Sequence, residues 1–133
     1  MNDIAIASVP VQAWEKPYDL KEALCQGTIF QTLRKPFYTE SQDTQAVFQP
    51  ENDYERKLLE IQQTGFFITD LTLFLDTHPN HTEAMAMRQE MQQKLMTLRE
   101  QFAQQFHALD CFQPGNAKCE VAPWEGGTKN VDL

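Results

Sequence analysis

The side chains best suited to chemistry in this chain are its three histidines and three cysteines. His78 and His81 lie three residues apart, so both could face one metal ion, but they flank a proline and lack a neighbouring cysteine or carboxylate set. His107 with Cys111 and Cys119 supplies only three ligands at an unusual spacing. One hypothesis is therefore a small metal- or redox-responsive protein that uses these residues.

The remaining residue patterns do not indicate catalysis. Di-metal sites in helical bundles use Glu-x-x-His pairs, and no glutamate here has a histidine three residues later. The only serines, Ser8 and Ser41, lack the glycines of a nucleophile elbow, and there is no phosphate-binding glycine loop. We expect a protein that is not an enzyme and has no cofactor or metal of its own.

Asp70 stands apart because it is the one acid inside an otherwise apolar helical segment. It could contact a partner or bind a metal. Since burial of an unpaired carboxylate is costly, we favour an acid at the exposed edge between two apolar stripes.

The overall charge excludes some classes of partner. A formal net charge of -8 and a pI near 4.7 argue against nucleic-acid binding, which relies on Lys and Arg to neutralise phosphates. No stretch reaches the ~20 apolar residues of a membrane span. The first residues lack the basic start and apolar run of a secretory signal, so we expect synthesis in the cytoplasm, with the cysteines made as thiols.

Residues 1–50 have scattered prolines and aromatics and only one short helical segment, from Leu20 to Gln26. Asp19 could cap its beginning, and Gly27 could end it in a left-handed conformation. We therefore predict an extended N-terminal arm.

A first long helix is predicted from near Asn52 to about Asp76, because Asn52 and Glu55 have the spacing of a capping box. One side of this helix carries an apolar seam that requires a neighbouring helix. Its members are Ile61, Thr64, Ile68, Leu71 and Leu75, with Phe67 and Phe74 beside them.

The same helix carries a second apolar stripe. Leu59, Phe66 and Leu73 recur every seven residues, on nearly the opposite side at ~100° per residue. One partner helix cannot cover both faces. Either the N-terminal arm folds over the second stripe, or another protein does.

His78 and Pro79 end the first long helix, since proline lacks an amide donor and restricts the residue before it. Asn80 and Glu83 repeat the capping spacing, so a second helix begins after a short loop and packs antiparallel. Its apolar residues follow a helical period: Ala84, Met87, Met91, Leu95, Leu98, Phe102 and Phe106.

Much of the polar face of this second helix is glutamine, which could line a protein contact without the cost of burying charge. A solvated face is the simpler interpretation. The glutamines are Gln89, Gln92, Gln93, Gln101, Gln104 and Gln105.

Together these patterns predict an all-α fold: an antiparallel two-helix hairpin with an extended N-terminal arm and a flexible C-terminal tail. The predicted divisions are residues 1–50 for the arm, 51–110 for the hairpin and 111–133 for the tail.

Two strings in the second half of the chain resemble the CotJB family of bacterial spore coat proteins. The first is Leu73-Phe74-Leu75-Asp76-Thr77-His78-Pro79, followed by Glu83-Ala84. The second is the tail Pro123-Trp124-Glu125-Gly126-Gly127. The resemblance covers roughly residues 54–127.

The arm resembles a second family from the same coat gene cluster, CotJA. The resemblance lies in Glu22-Ala23-Leu24-Cys25-Gln26-Gly27-Thr28-Ile29-Phe30 and Leu33-Arg34-Lys35-Pro36-Phe37. The two resemblances suggest a natural fusion of two small coat proteins.

These resemblances imply a non-enzymatic structural or adaptor component of the spore coat, assembled from the mother-cell cytoplasm. They also imply association with a manganese catalase of the CotJC type, or with other coat proteins. The alternatives are a homo-oligomer that forms coat layers without an enzyme partner, and the metal- or redox-responsive protein described above. The expected partner-binding residues are Trp14, Phe30, Phe37, Tyr38, Leu59, Phe66, Leu73, Phe112 and Trp124.

Overall fold

The computed structural model of the chain describes residues 11–35 and 48–109. Three α-helices occur in this part: α1 (Leu20–Gln26), α2 (Asp53–Thr77) and α3 (Thr82–Gln105). A single 3-10 turn, Gln31–Leu33, follows α1, and the described residues include no strand. Within the described ranges, no helix is long and apolar enough to cross a membrane.

The short helix α1 begins and ends where its sequence predicts. The Asp19 carboxylate accepts a hydrogen bond from the Glu22 amide at 2.8 Å, which satisfies a donor that the first helical turn leaves free. Gly27 follows the last turn with φ of 76°, and its amide donates to the Ala23 carbonyl. This left-handed ending turns the chain sharply towards α2.

The predicted beginning of α2 is confirmed. The Asn52 side chain accepts from the Glu55 amide at 2.8 Å. The Glu55 carboxylate in turn accepts from the amide of Glu51, one residue before the cap. Local sequence is enough to specify this helix start, because every partner lies within four residues.

The turn between α2 and α3 contains Pro79 as its second residue, and the His81 amide donates to the His78 carbonyl. Asn80 was the expected cap of the following helix, and this was wrong. His81 is the cap, and its Nδ1 accepts from the Ala84 amide at 3.1 Å. The His81 ring also contacts the arm through Trp14, an interaction that local spacing cannot indicate.

The two long helices form an antiparallel hairpin, as predicted. At its open end the side-chain amide of Gln105 donates a hydrogen bond to the Asp53 carboxylate. The last residue of α3 thus meets the first residue of α2. Tyr54 adds ring contacts with Phe102 and Phe106, with centroids 5.2 Å apart in both cases. The ends of the hairpin are therefore held at corresponding levels.

The predicted apolar faces form the core. Every member of the expected seam on α2 is buried except Ile68, which is half-buried. The expected stripe on the second helix is buried at Ala84 and Phe102 and half-buried elsewhere. Thr64 is also fully buried, and its hydroxyl donates to the Glu60 carbonyl one turn earlier.

The arm shares this core instead of standing away from it. Ala23 and Ile29 are fully buried and Phe30 is 1% exposed, in one cluster with residues of α2 and with Ala84 of α3. Tyr18 and Ile29 close the arm on itself through a backbone hydrogen bond of 2.9 Å. Helix α1 thus packs against α2. The predicted tail, residues 111–133, lies outside the described ranges.

Candidate functional site

The carboxylate of Asp70 connects the arm to the hairpin. It accepts one hydrogen bond from the Thr28 hydroxyl at 3.0 Å and another from the Ile29 amide at 2.8 Å. The expectation that Asp70 lies at an exposed edge was wrong, because the side chain is half-buried beneath the loop that follows α1. Hydrogen bonds to a charged acceptor are stronger than those between neutral groups. The two donors of the arm therefore replace the water contacts that Asp70 loses on burial.

An aromatic cluster surrounds this connection. Trp14 lies over Phe74, with ring centroids 5.2 Å apart, and makes an edge contact with Phe30 at 5.8 Å. Phe30 and Phe74 are 5.3 Å apart, while Trp14 and His81 are 4.7 Å apart. Ring pairs at these distances contribute beyond the area they bury, so the arm is held by aromatic packing as well as by Asp70.

Glu15 ties two parts of the arm together near its surface. Its carboxylate accepts from the Thr32 amide at 2.8 Å and from the Thr32 hydroxyl at 2.7 Å. The amide bond, and then the hydroxyl bond, lower the pKa of Glu15 below its ordinary value because both favour the charged carboxylate. This link holds the 3-10 turn against the segment that precedes α1.

An open groove runs beside the connection between arm and α2, with a volume of about 500 Å³. Its exposed apolar edges are Val11, Leu33 and Leu73, which are 81%, 45% and 60% exposed. Such a shape suits an apolar side chain of a partner. The other lining residues are Gln12, Phe30, Asp70, Phe74 and Thr77.

Two of the expected partner-binding aromatics are occupied within the chain. Phe30 is 1% exposed, so its ring lies in the core and forms only the floor of the groove. Trp14 is half-buried against Phe74 and His81. Their side chains act as internal anchors of the arm, and partner binding by either of them stays a prediction.

The second apolar stripe of α2 is partly buried and partly exposed. Phe66 is half-buried and packs against the shared core, and Leu59 is also half-buried. Leu73 remains 60% exposed at the groove. The arm therefore covers this side of α2 in part, and Leu73 is the stripe member most available to another molecule.

Four other expected contact residues lie outside the described ranges, and partner binding by any of them stays a prediction. They are Phe37, Tyr38, Phe112 and Trp124.

The histidines proposed for metal binding have separate structural roles. His78 stacks on Phe74 with ring centroids 4.2 Å apart, and His81 caps α3. His107 Nε2 lies 3.2 Å from the Tyr54 hydroxyl, at the other end of α2. Since a helix rises ~1.5 Å per residue, His107 is about 35 Å from the other two along the hairpin.

Across residues 11–35 and 48–109, no three His, Cys, Asp or Glu side chains come together as a metal site. Cys25 is exposed on α1, while Cys111 and Cys119 lie outside these ranges. The structure thus offers the metal-responsive hypothesis no converging set of ligands in its described part.

The glutamine face of α3 is exposed to solvent, as the simpler interpretation predicted. All six glutamines are exposed. Met85 and Met96 are also exposed, at 38% and 66%.

Sequence reasoning missed the pairing of Asp70 with the arm. A signal was present, since Asp70 lies four residues after Phe66 and three before Leu73, on the stripe that needed a cover. The sequence shows Asp70 as an unusual acid on this stripe. It does not indicate the donors, because they lie 41 and 42 residues away along the chain.

Comparison with protein families finds two matches along the chain. The family model described as CotJB protein matches residues 55–126, and that described as spore coat associated protein JA (CotJA) matches residues 3–37. Comparisons with curated proteins and with solved structures find no match. Since the first match covers more than half of the chain, the protein belongs to the CotJB family and has a CotJA-like N-terminal region; it is spore-coat associated.

Proposed function

We propose that this protein is a non-enzymatic adaptor of the spore coat, which binds a manganese catalase of the CotJC type through the groove between its arm and α2. The observation that carries the proposal is the exposed apolar edge formed by Val11, Leu33 and Leu73 in a coat-associated chain. The catalase would perform the metal chemistry, and this chain would hold it in the coat.

The groove has a rigid base, which favours binding. Phe30 and Phe74 form its floor and are 1% and 2% exposed, and Asp70 fixes the loop beside it. A partner side chain entering this groove would therefore meet a surface that is already ordered. Preorganisation of this kind reduces the entropy lost on binding.

The exposed edge also supplies the type of side chain that interfaces use. Leu73 projects from α2 near its C-terminal end, whereas Val11 and Leu33 come from the arm. Both family regions thus contribute to one surface, since residues 3–37 and 55–126 carry the two matches. An adaptor that needs both regions would explain their presence in one chain.

The proposal is tested by co-elution of the full chain with the purified catalase on size exclusion. Leu73→Asp should reduce the affinity at least about fivefold, because the introduced charge would lose its water on contact with the partner. Met96→Asp is the matched control, since Met96 is a similarly exposed apolar residue on α3. It should leave the affinity unchanged.

Two results would refute the proposal. One is the failure of the wild-type chain to bind the catalase while forming large assemblies by itself, which would favour a self-assembling coat layer protein. The other is an equal loss of binding in both variants, because then the contact would not be specific to the groove. Circular dichroism of both variants checks that they keep their helices.

A further inference from the structure

The two family regions are in direct contact in the fold. Thr28, Ile29 and Phe30 belong to the CotJA-like region, whereas Asp70 and Phe74 belong to the CotJB region. Asp70 accepts from Thr28 and Ile29, and Phe74 packs on Phe30 with ring centroids 5.3 Å apart. We propose that this face of α2 is a recognition surface for CotJA-type segments, which it binds without needing a covalent connection.

The segments that carry the two resemblances face each other in the core. The arm contributes Ala23, Ile29 and Phe30, which belong to one of the recognised strings, and the hairpin contributes Phe74 and Ala84 from the other. These residues form one buried cluster, with exposures between 0% and 2%. The contact is therefore built from the parts of each region that identify it.

The arm segment is also suited to bind as a unit. The Asp19 cap, the left-handed Gly27 and the Tyr18–Ile29 backbone bond shape residues 18–29 through contacts inside the arm itself. Glu15 closes the other side of the segment on Thr32. A segment with this internal shape loses less conformational entropy when it docks than an unstructured peptide would.

Both polar and apolar contacts define the partner chemistry. The surface on α2 supplies one carboxylate acceptor, Asp70, and the apolar rings of Phe67 and Phe74 in the shared core. The matching segment must present a backbone amide and a hydroxyl next to a buried aliphatic and an aromatic side chain. Thr28-Ile29-Phe30 meets these requirements here, and the partner is a chain that carries a segment of this type.

The connection is tested by cutting the full chain. A protease site placed within residues 38–47, between the two family regions, allows the folded protein to be cleaved in solution. We expect the two products to co-elute at micromolar concentration. Asp70→Ala should weaken their association about tenfold or more, because two hydrogen bonds to a charged acceptor are lost. Asp76→Ala, at an exposed acid of the same helix, is the matched control and should have no effect.

A labelled peptide of residues 11–35 then tests recognition between chains. It should exchange into the cleaved protein but not into the intact one, since a tethered segment competes at an effective concentration of roughly millimolar. Separation of the wild-type products would overturn the proposal, as would equal binding of the Asp70 and Asp76 variants. No catalase is present, so failure here is distinct from failure of the adaptor function.

Discussion

At the scale of single residues, Asp70 and Phe30 determine how the arm meets the hairpin. Asp70 is an acid on an apolar stripe, and its half-buried position is tolerated because the Thr28 hydroxyl and the Ile29 amide replace water. Phe30 places a whole ring in the shared core. Neither role is visible from neighbouring sequence, because the donors to Asp70 and the Phe74 ring that packs on Phe30 lie more than forty positions away.

Replacement of Phe30 should reveal this internal role. Phe30→Ala removes a ring that is 1% exposed, and should lower the free energy of unfolding by ~3–5 kcal/mol through lost burial and a residual cavity. Phe48→Ala is the control, since Phe48 is 59% exposed and should change stability by no more than about 0.5 kcal/mol. Urea denaturation measures both. Equal effects would show that Phe30 is not in the core.

Acidification should loosen the surface of the arm. Hydrogen bonds from the Thr32 amide and hydroxyl place the pKa of Glu15 lower in the folded chain than in the unfolded one. The stability they give is therefore present above the unfolded pKa, and is lost as the pH falls through the lower folded value. NMR titration of the Glu15 carboxyl carbon should show the depressed pKa.

Thr32→Ala gives the matched comparison for this titration. It removes the hydroxyl donor but keeps the amide donor, so the pKa of Glu15 should move part of the way back towards its ordinary value. A Glu15 carboxyl that titrates like an ordinary glutamate in the unaltered chain would contradict the arm geometry.

At the scale of elements, local signals specify where the helices begin and end. Asp19, Gly27 and Asn52 were correctly assigned from sequence because each acts on groups within four residues. Asn80 was assigned wrongly, since His81 has an acceptor of its own and is also held by Trp14 from the arm. Helical periodicity predicted the apolar faces of both long helices. It did not indicate which part of the chain packs on the second stripe of α2.

Substitution of two glycines by alanine tests the left-handed turn after α1, with a glycine inside α2 as the comparison. Gly27→Ala should destabilise the protein by ~1 kcal/mol, because Gly27 has φ of 76°, which disfavours an L side chain although no atom lies near its added Cβ. Gly65→Ala should stabilise it by ~0.5–1 kcal/mol, since Gly65 lies inside α2 with free space for a methyl group. Thermal unfolding of the two variants gives the opposite signs. Shifts of the same sign would contradict the turn at Gly27.

At the scale of the whole molecule, the two family regions act as one body in the described part of the chain. The arm and the hairpin share a core, and the groove beside Leu73 is lined from both. The composition argues against nucleic acid as a partner, whereas the groove on which the adaptor proposal rests appears only in the folded arrangement.

The most direct measurement of the adaptor proposal is site-specific photocrosslinking to the manganese catalase. A photoreactive phenylalanine analogue is placed at position 73 in one sample and at position 96 in another, since Leu73 and Met96 are both exposed. The proposal predicts a covalent product with the catalase from position 73 and none from position 96. A product from position 96 alone, or no product from either position, would contradict it.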